Sequence, residues 1–314
     1  MKRRKSERGK RNAGKRWRWA PLMLGAFLAG LFTIGAAILM PRGENRTGAF
    51  SPAQGDPSAI PAAPGGGTQD VPALRQPVPP GGAIRGEGTT PRLAIVVNDC
   101  GYDPTRDAEW LKFPEKITLA VIPFGPSSRR LAQSAHERGF GVLINVPMEP
   151  EGSISDRTEG FRLRRGMRGE EMETLLGKMI EENPWATGAS NHMGSAFTAD
   201  PESMTTFVTL LKGKGLFLLD SMTTSRSVAV RAALQAGIPV ARRDVFLDAD
   251  MEPEEMRVQW KKTIAIAKEK GTAVLLCQGR AESLRTMLDL VPDLETEGVR
   301  AVTLAELLSP VRSL

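Results

Sequence analysis

The sequence predicts an α/β domain: an irregular (β/α) barrel of about seven to eight parallel strands, preceded by one transmembrane helix and a disordered linker. Three observations carry this expectation. From Arg92 onward, short β-rich runs alternate with helix-length segments. Gly139, Gly215, Gly237 and Gly271 each follow a helical stretch, where a C-terminal cap wants positive φ. Polar residues collect just past the strand-like runs, where parallel α/β folds place their ligand crevice.

Taken in order, the chain opens on charge. Of its 42 Lys/Arg and 36 Asp/Glu residues, residues 1–18 hold ten basic ones against the single Glu7, leaving 32 against 35 elsewhere. The pI near 9.5 thus belongs to a basic tail, residues 1–19, and does not indicate a nucleic-acid-binding domain. Residues 20–40 carry no charge. As a helix such a stretch spans about 30 Å, the thickness of a bilayer's hydrocarbon core. The basic block should stay cytoplasmic, with Trp17 and Trp19 at the interface, which sends the rest of the chain outside. A cleaved signal peptide is the rival reading, but no clean small-x-small site precedes Pro41, so an uncleaved single-pass anchor is expected. Residues 41–90 hold nine prolines and ten glycines with few large apolar side chains. Such a segment buries too little surface to offset its ordering entropy, and a flexible spacer is expected.

In the folded domain, residues 91–314, strands are predicted at 93–97, 117–122, 141–146, 188–191, 216–220, 245–248 and 273–277, with a late one near 299–303. Helices are predicted over 127–138, 170–182, 201–214, 227–236, 253–270 and 282–290.

The first run, Ile95-Val96-Val97, ends in Asn98, Asp99, Cys100 and Gly101, the edge of a site. Asp103 before Pro104 is turn and cap chemistry. Strand three runs into Asn145-Val146-Pro147-Met148-Glu149. The fourth is followed by Asn191-His192-Met193-Gly194-Ser195, the fifth by Asp220-Ser221. Arg243-Asp244 and Asp248 flank the sixth, and the seventh ends in Cys277-Gln278-Gly279. Asp, Glu and His gathered at strand ends are residues that bind a divalent metal and activate water, although each taken singly is more often a cap or an ion-pair partner. The chain has two histidines: His136 falls within a predicted helix, and His192 stands in the cluster.

Taken together, VVNDCGY, ITLAVIPFGP, VLINVPMEP, SNHMGSAFT, GLFLLDSMTT and RRDVFLDAD resemble, in order, the divergent polysaccharide deacetylase family, over about residues 92–308. The resemblance implies a (β/α) barrel and metal-assisted removal of acetyl groups from an N-acetylated sugar. In that chemistry a carboxylate acts as base on a metal-bound water and a histidine protonates the leaving amine.

Residue by residue, the chain departs from the family where the chemistry lies. The family opens with two aspartates, resembling a base and a metal ligand; here they are Asn98 and Asp99. Its histidine before the PMEP motif is Asn145, and its Gly-His-Glu is Gly139-Phe140-Gly141. Its late Gly-His-Pro is Cys277-Gln278-Gly279, so Gln278 occupies the position of the acid. An amide does not accept a proton as a carboxylate does. The resemblance leaves Asp99, Glu149 and His192 as the candidate ligands of a divalent metal such as zinc, with few nitrogen donors. Asn145, Asn191, Ser195, Thr198, Asp220, Arg243 and Asp244 are candidate glycan contacts. Cys100 and Cys277 end the first and last strands of a nearly closed barrel. In an oxidising compartment they are candidates for a disulfide across the mouth or for thiolate ligation, against the alternative of two buried thiols.

The expected function is a membrane-anchored, extracytoplasmic domain recognising an N-acetylated cell-envelope glycan, with hydrolysis weakened or lost. The rivals are an active metal-dependent deacetylase using Asp99, Glu149 and His192, and a non-catalytic envelope scaffold for a protein partner.

Overall fold

In the computed structural model, which describes residues 90–309, strand and helix alternate from Arg92 to Leu308. The tail, the apolar span 20–40 and all of the linker before Thr90 lie outside the described residues. Among the described residues no helix is long and apolar enough to cross a membrane. The elements are β1 (Arg92–Cys100), α1 (Pro104–Trp110), β2 (Thr118–Val121), α2 (Ser128–Glu137), β3 (Gly141–Met148), α3 (Gly169–Glu182), β4 (Gly188–Met193), α4 (Pro201–Gly213) and β5 (Phe217–Asp220). There follow α5 (Ala229–Ala236), β6 (Val240–Arg242), β7 (Val245–Phe246), α6 (Pro253–Lys270), β8 (Thr272–Gln278), α7 (Ala281–Leu290), α8 (Asp293–Thr296), β9 (Arg300–Val302) and α9 (Leu304–Leu308). The four helix-following glycines all take positive φ.

All strand pairings are parallel, in the order β6-β5-β4-β3-β2-β1-β8-β7. β9 fills the slot beside the first half of β1, beneath β2, where Leu304 N–H donates to Thr118 Oγ1 at 2.9 Å. The expected barrel is a curled parallel sheet, a partial barrel whose edges, β6 and β7, do not pair with each other. Yet these edges are separated by two residues of chain. Arg243 N–H bonds to Asp220 O beyond one edge and the next amide, Asp244 N–H, bonds to Val274 O on the other. A covalent link therefore spans the gap that ladder bonds leave open. β6 and α1 escaped the sequence reading. Three residues after a proline show no strand period, and α1 has no apolar stripe.

Alternation along each strand sorts side chains into two layers. Leu93, Ile95, Val97, Leu119, Ala273, Leu275 and Cys277 face outward into a core with α1, α2, α6 and α7, where Trp110 and Trp260 are buried. Ile144, Val146, Met148, Ala189 and Leu218 do the same beneath α3, α4 and α5. Burying each such large side chain contributes about 1.5–3 kcal/mol. The opposite parity (Ala94, Val96, Ala120, Leu143, Leu219, Val274, Leu276) fills the barrel, with Val302, Leu304 and Leu307 plugging one end. Continued upward, that inner series reaches Asn98 and Gln278, which are register partners at the carboxyl end of the sheet.

Candidate functional site

The β1 ladder slips between Val97 and Cys100, and the irregularity is built on Asp99, whose φ is 61°. Aspartate tolerates this left-handed region better than most residues, and the turn delivers two successive polar side chains, Asn98 and Asp99, to the mouth. The kink is locked from behind. Gly101 N–H donates to Asp107 Oδ2 (3.0 Å), which also accepts from Ser127 Oγ at 2.6 Å.

Across the sheet, Asn145 and Ser190 are register partners on β3 and β4, and His192 lies two residues further along the same face. These residues form one hydrogen-bonded chain. Ser190 Oγ donates to Asn145 Oδ1 (3.0 Å), Asn145 Nδ2 donates to Asp99 Oδ1 (3.0 Å), and His192 Nδ1 lies 2.8 Å from the same oxygen. A carboxylate only accepts, so this contact assigns the donor role to His192 Nδ1. The chain opens onto a cavity of about 410 Å³ lined by Asn98, Asp99, His192, Ser221, Arg243 and Gln278, with Asn191, Thr223 and Phe246 at its sides. Met193 and Met222, also on its wall, have φ of 55° and 53°. With Asp99 this makes three non-glycine residues in the left-handed region around one cavity, strain of the kind that marks functional sites.

Asp248 orients the Gln278 segment. Its carboxylate accepts from Gln278 N–H at 2.9 Å and from Ser283 Oγ. Burial pushes its carboxyl above the usual range, against the pull of those hydrogen bonds. A carboxyl raised on folding contributes stability below its unfolded pKa of about 3.9, and that contribution is lost as pH rises through the folded value. The melting temperature of Asp248→Asn relative to the unsubstituted chain should therefore rise between pH 4.5 and pH 8. A difference that shrinks over that interval would contradict the assignment.

Of the sequence-predicted residues, the structure brings Asn98, Asp99, Asn145, His192, Gln278 and Arg243 together at the cavity or its floor. Asn191 ties the walls, donating to Met193 O and accepting from Ser221 N–H, both at 2.8 Å. Others are engaged elsewhere. Glu149 pairs with Arg165, whose bonds hold its carboxyl below the usual range. Ser195 Oγ accepts from Glu151 N–H, and Thr198 Oγ1 donates to Gly194 O. Asp220 accepts from Met222 N–H and Ser227 Oγ, with burial raising its carboxyl. Asp244 holds Val274 N–H, near the start of β8 and away from the mouth. Ser195, Thr198, Asp220 and Asp244 hold loops and strand edges, the common use of Ser, Thr and Asp just past strands. Ser190 and Phe246 were not anticipated. Ser190 was legible as the residue two before His192 on an alternating strand, whereas Phe246 gave no signal.

The thiols lie elsewhere than at the mouth. Cys277 follows the outward parity of Ala273 and Leu275, and the β1 irregularity puts Cys100 in the same outer layer as Val97. Both are free and buried among the apolar side chains of that layer, and burial raises both well above the usual thiol range.

A divalent metal does not fit this donor set. Among the described residues no three His, Cys, Asp or Glu side chains converge as a metal site requires. Asp99 and His192 bond to each other, Glu149 is held by Arg165, and the third neighbour, Asn145, is an amide.

A family model described as divergent polysaccharide deacetylase matches residues 95–308. The Escherichia coli protein YibQ, itself described as uncharacterized, is 34% identical over 203 residues, 65% of this chain and 63% of that protein. The chain thus matches less than two thirds of that relative's length. An uncharacterized Haemophilus influenzae protein is 35% identical over 196 residues, covering 62% of this chain and 69% of its own. The crystal structure of an uncharacterized Agrobacterium tumefaciens protein superposes with a TM-score of 0.66 at 22% identity, over 73% of this chain and 95% of that one, a likeness of fold.

Proposed function

The chain belongs to the divergent polysaccharide deacetylase family, and from that premise we propose that it binds an N-acetylated cell-envelope glycan in the Asp99–His192 cavity without efficient hydrolysis. One observation carries this reading. The cavity keeps a polar, hydrogen-bonded floor, while the positions that match the family's base and acid are amides, Asn98 and Gln278, facing each other in register. Amides offer donors and acceptors to hydroxyl and acetamido groups, and they do not relay a proton. At about 410 Å³ the cavity falls in the lower part of the range for small-molecule sites, about 300–1,000 Å³, suited to one sugar unit with its substituents. We place the domain outside the cytoplasmic membrane, tethered through residues 20–40, on the basic tail that precedes that apolar stretch.

Titration calorimetry with an N-acetylglucosamine tetramer, alongside an acetate-release assay with and without zinc, tests the proposal. Binding without acetate release is expected. Asp99→Ala, which removes the acceptor shared by Asn145 and His192, should weaken binding at least about tenfold. Acetate release abolished by Asp99→Ala would overturn the non-hydrolytic reading. No saccharide binding at all would favour a protein-binding scaffold.

A further inference from the structure

Two buried polar atoms on the cavity wall have no hydrogen-bond partner: Asn98 Oδ1 and Ser221 Oγ. Their residues are 7% and 5% exposed, so solvent satisfies neither by default. Beside them stands Arg243, whose guanidinium is fixed on three sides. Nε donates to Ser221 O (2.8 Å), Nη2 donates to Met222 O (3.0 Å), and Cζ lies over the Phe246 ring, 5.1 Å from its centre. The carboxylate acting on it electrostatically, Asp220, is occupied by Met222 N–H and Ser227 Oγ, and burial favours its neutral form. Asp99, the acid that lines the cavity, is bonded to Asn145 and His192. Among the described residues Arg243 has no ion-pair partner, although it is partly desolvated. A half-buried cation held by two carbonyls, on a residue that lines a cavity, is built to receive an anion.

We propose that Arg243 selects saccharides that carry a carboxylate, with Asn98 Oδ1 and Ser221 Oγ receiving the amide N–H or hydroxyl groups beside it. This rests on the glycan-binding reading and narrows it to acidic N-acylated sugars. The shared chemistry has two sources, an ether-linked lactyl carboxylate or a uronic carboxylate on the ring.

Affinities of the full chain for three probes separate the outcomes: N-acetylmuramic acid, 2-acetamido-2-deoxyglucuronic acid and neutral N-acetylglucosamine. At least one acidic probe should bind about tenfold or more tightly than the neutral one. The advantage should shrink with added salt and vanish in Arg243→Gln, and the preferred acid identifies the source. Equal affinities, or an advantage that survives Arg243→Gln, overturn the selectivity and leave the glycan reading standing. Failure of all three to bind overturns both. Should Arg243→Gln not fold, by its far-ultraviolet spectrum and melting curve, Asn98→Asp serves in its place. A negative charge at that wall should weaken the acidic probe at least tenfold more than the neutral one, and an unchanged preference counts against the proposal.

Discussion

Gly101→Ala is expected to be among the most damaging single-methyl changes in the domain, destabilising it by about 2–5 kcal/mol. Gly101 has φ of 108°, which an L side chain rarely adopts, and the added Cβ would lie 2.5 Å from Ser128 Oγ and 3.0 Å from Ile122 O. The backbone strain contributes about 1–2 kcal/mol and the steric conflict about 1–3 kcal/mol. The methyl cannot be absorbed easily. Ser128 Oγ is held by its donation to Ile122 O, and the facing Gly125 already approaches the Gly101 carbonyl too closely to accept a Cβ of its own. For a domain of this size the loss lowers the melting temperature by roughly 10 °C. Gly166→Ala is the control. Its φ is 70°, but nothing lies within 4 Å of the new methyl, so only the backbone contribution remains. Equal losses in the two variants would show that the packing at the site's base is not what constrains Gly101. Because the residue lies two positions after Asp99, Gly101→Ala should also weaken saccharide binding, and Gly166→Ala should not.

Why the floor of the site was readable and its rim was not follows from range. Period-two alternation is local, and it carries Ala94 and Val96 to Asn98, and Val274 and Leu276 to Gln278, on one inner face. Applied to β8, the same alternation sends Cys277 outward with Leu275, against the expectation of two thiols sharing the mouth. The order of βα units likewise exposed the parallel sheet. Glu149 was different. Its partner, Arg165, lies sixteen residues on, past an irregular segment with no periodicity, so its carboxylate looked available in the sequence. Asp244 looked like a rim residue because Arg243 is one. Consecutive residues in a link between sheet edges bond to opposite strands, which no local pattern reveals.

The second large effect is a gain. Asn145→His should create zinc affinity where the present donor set lacks it, raising it by at least about tenfold and measurably by competition with a chromogenic chelator. Asn145 is buried beside Asp99, with its Nδ2 3.0 Å from the oxygen that also faces His192 Nδ1. An imidazole on that strand position would join one carboxylate and one existing imidazole, giving two nitrogen donors and one oxygen, enough for an open metal site. Ser190 Oγ, which now donates to Asn145 Oδ1, is placed to orient a ring nitrogen only if it switches to accepting, and hydroxyl rotors do so readily. His192→Ala in the same background should abolish the gain, whereas Glu149→Gln should leave it, because Glu149 is held by Arg165. If Glu149→Gln removes the zinc as completely as His192→Ala does, the carboxylate is a ligand after all. The separation of the rim from the metal position would then be wrong. Adding Asn98→Asp and Gln278→His to Asn145→His supplies a carboxylate and an imidazole at the positions proposed for base and acid. Acetate release from an N-acetylated probe should then depend on added zinc. Zinc bound tightly by the triple variant with no acetate released would show that the positions hold metal but do not reach the substrate. Release without zinc would show that the chemistry never required it.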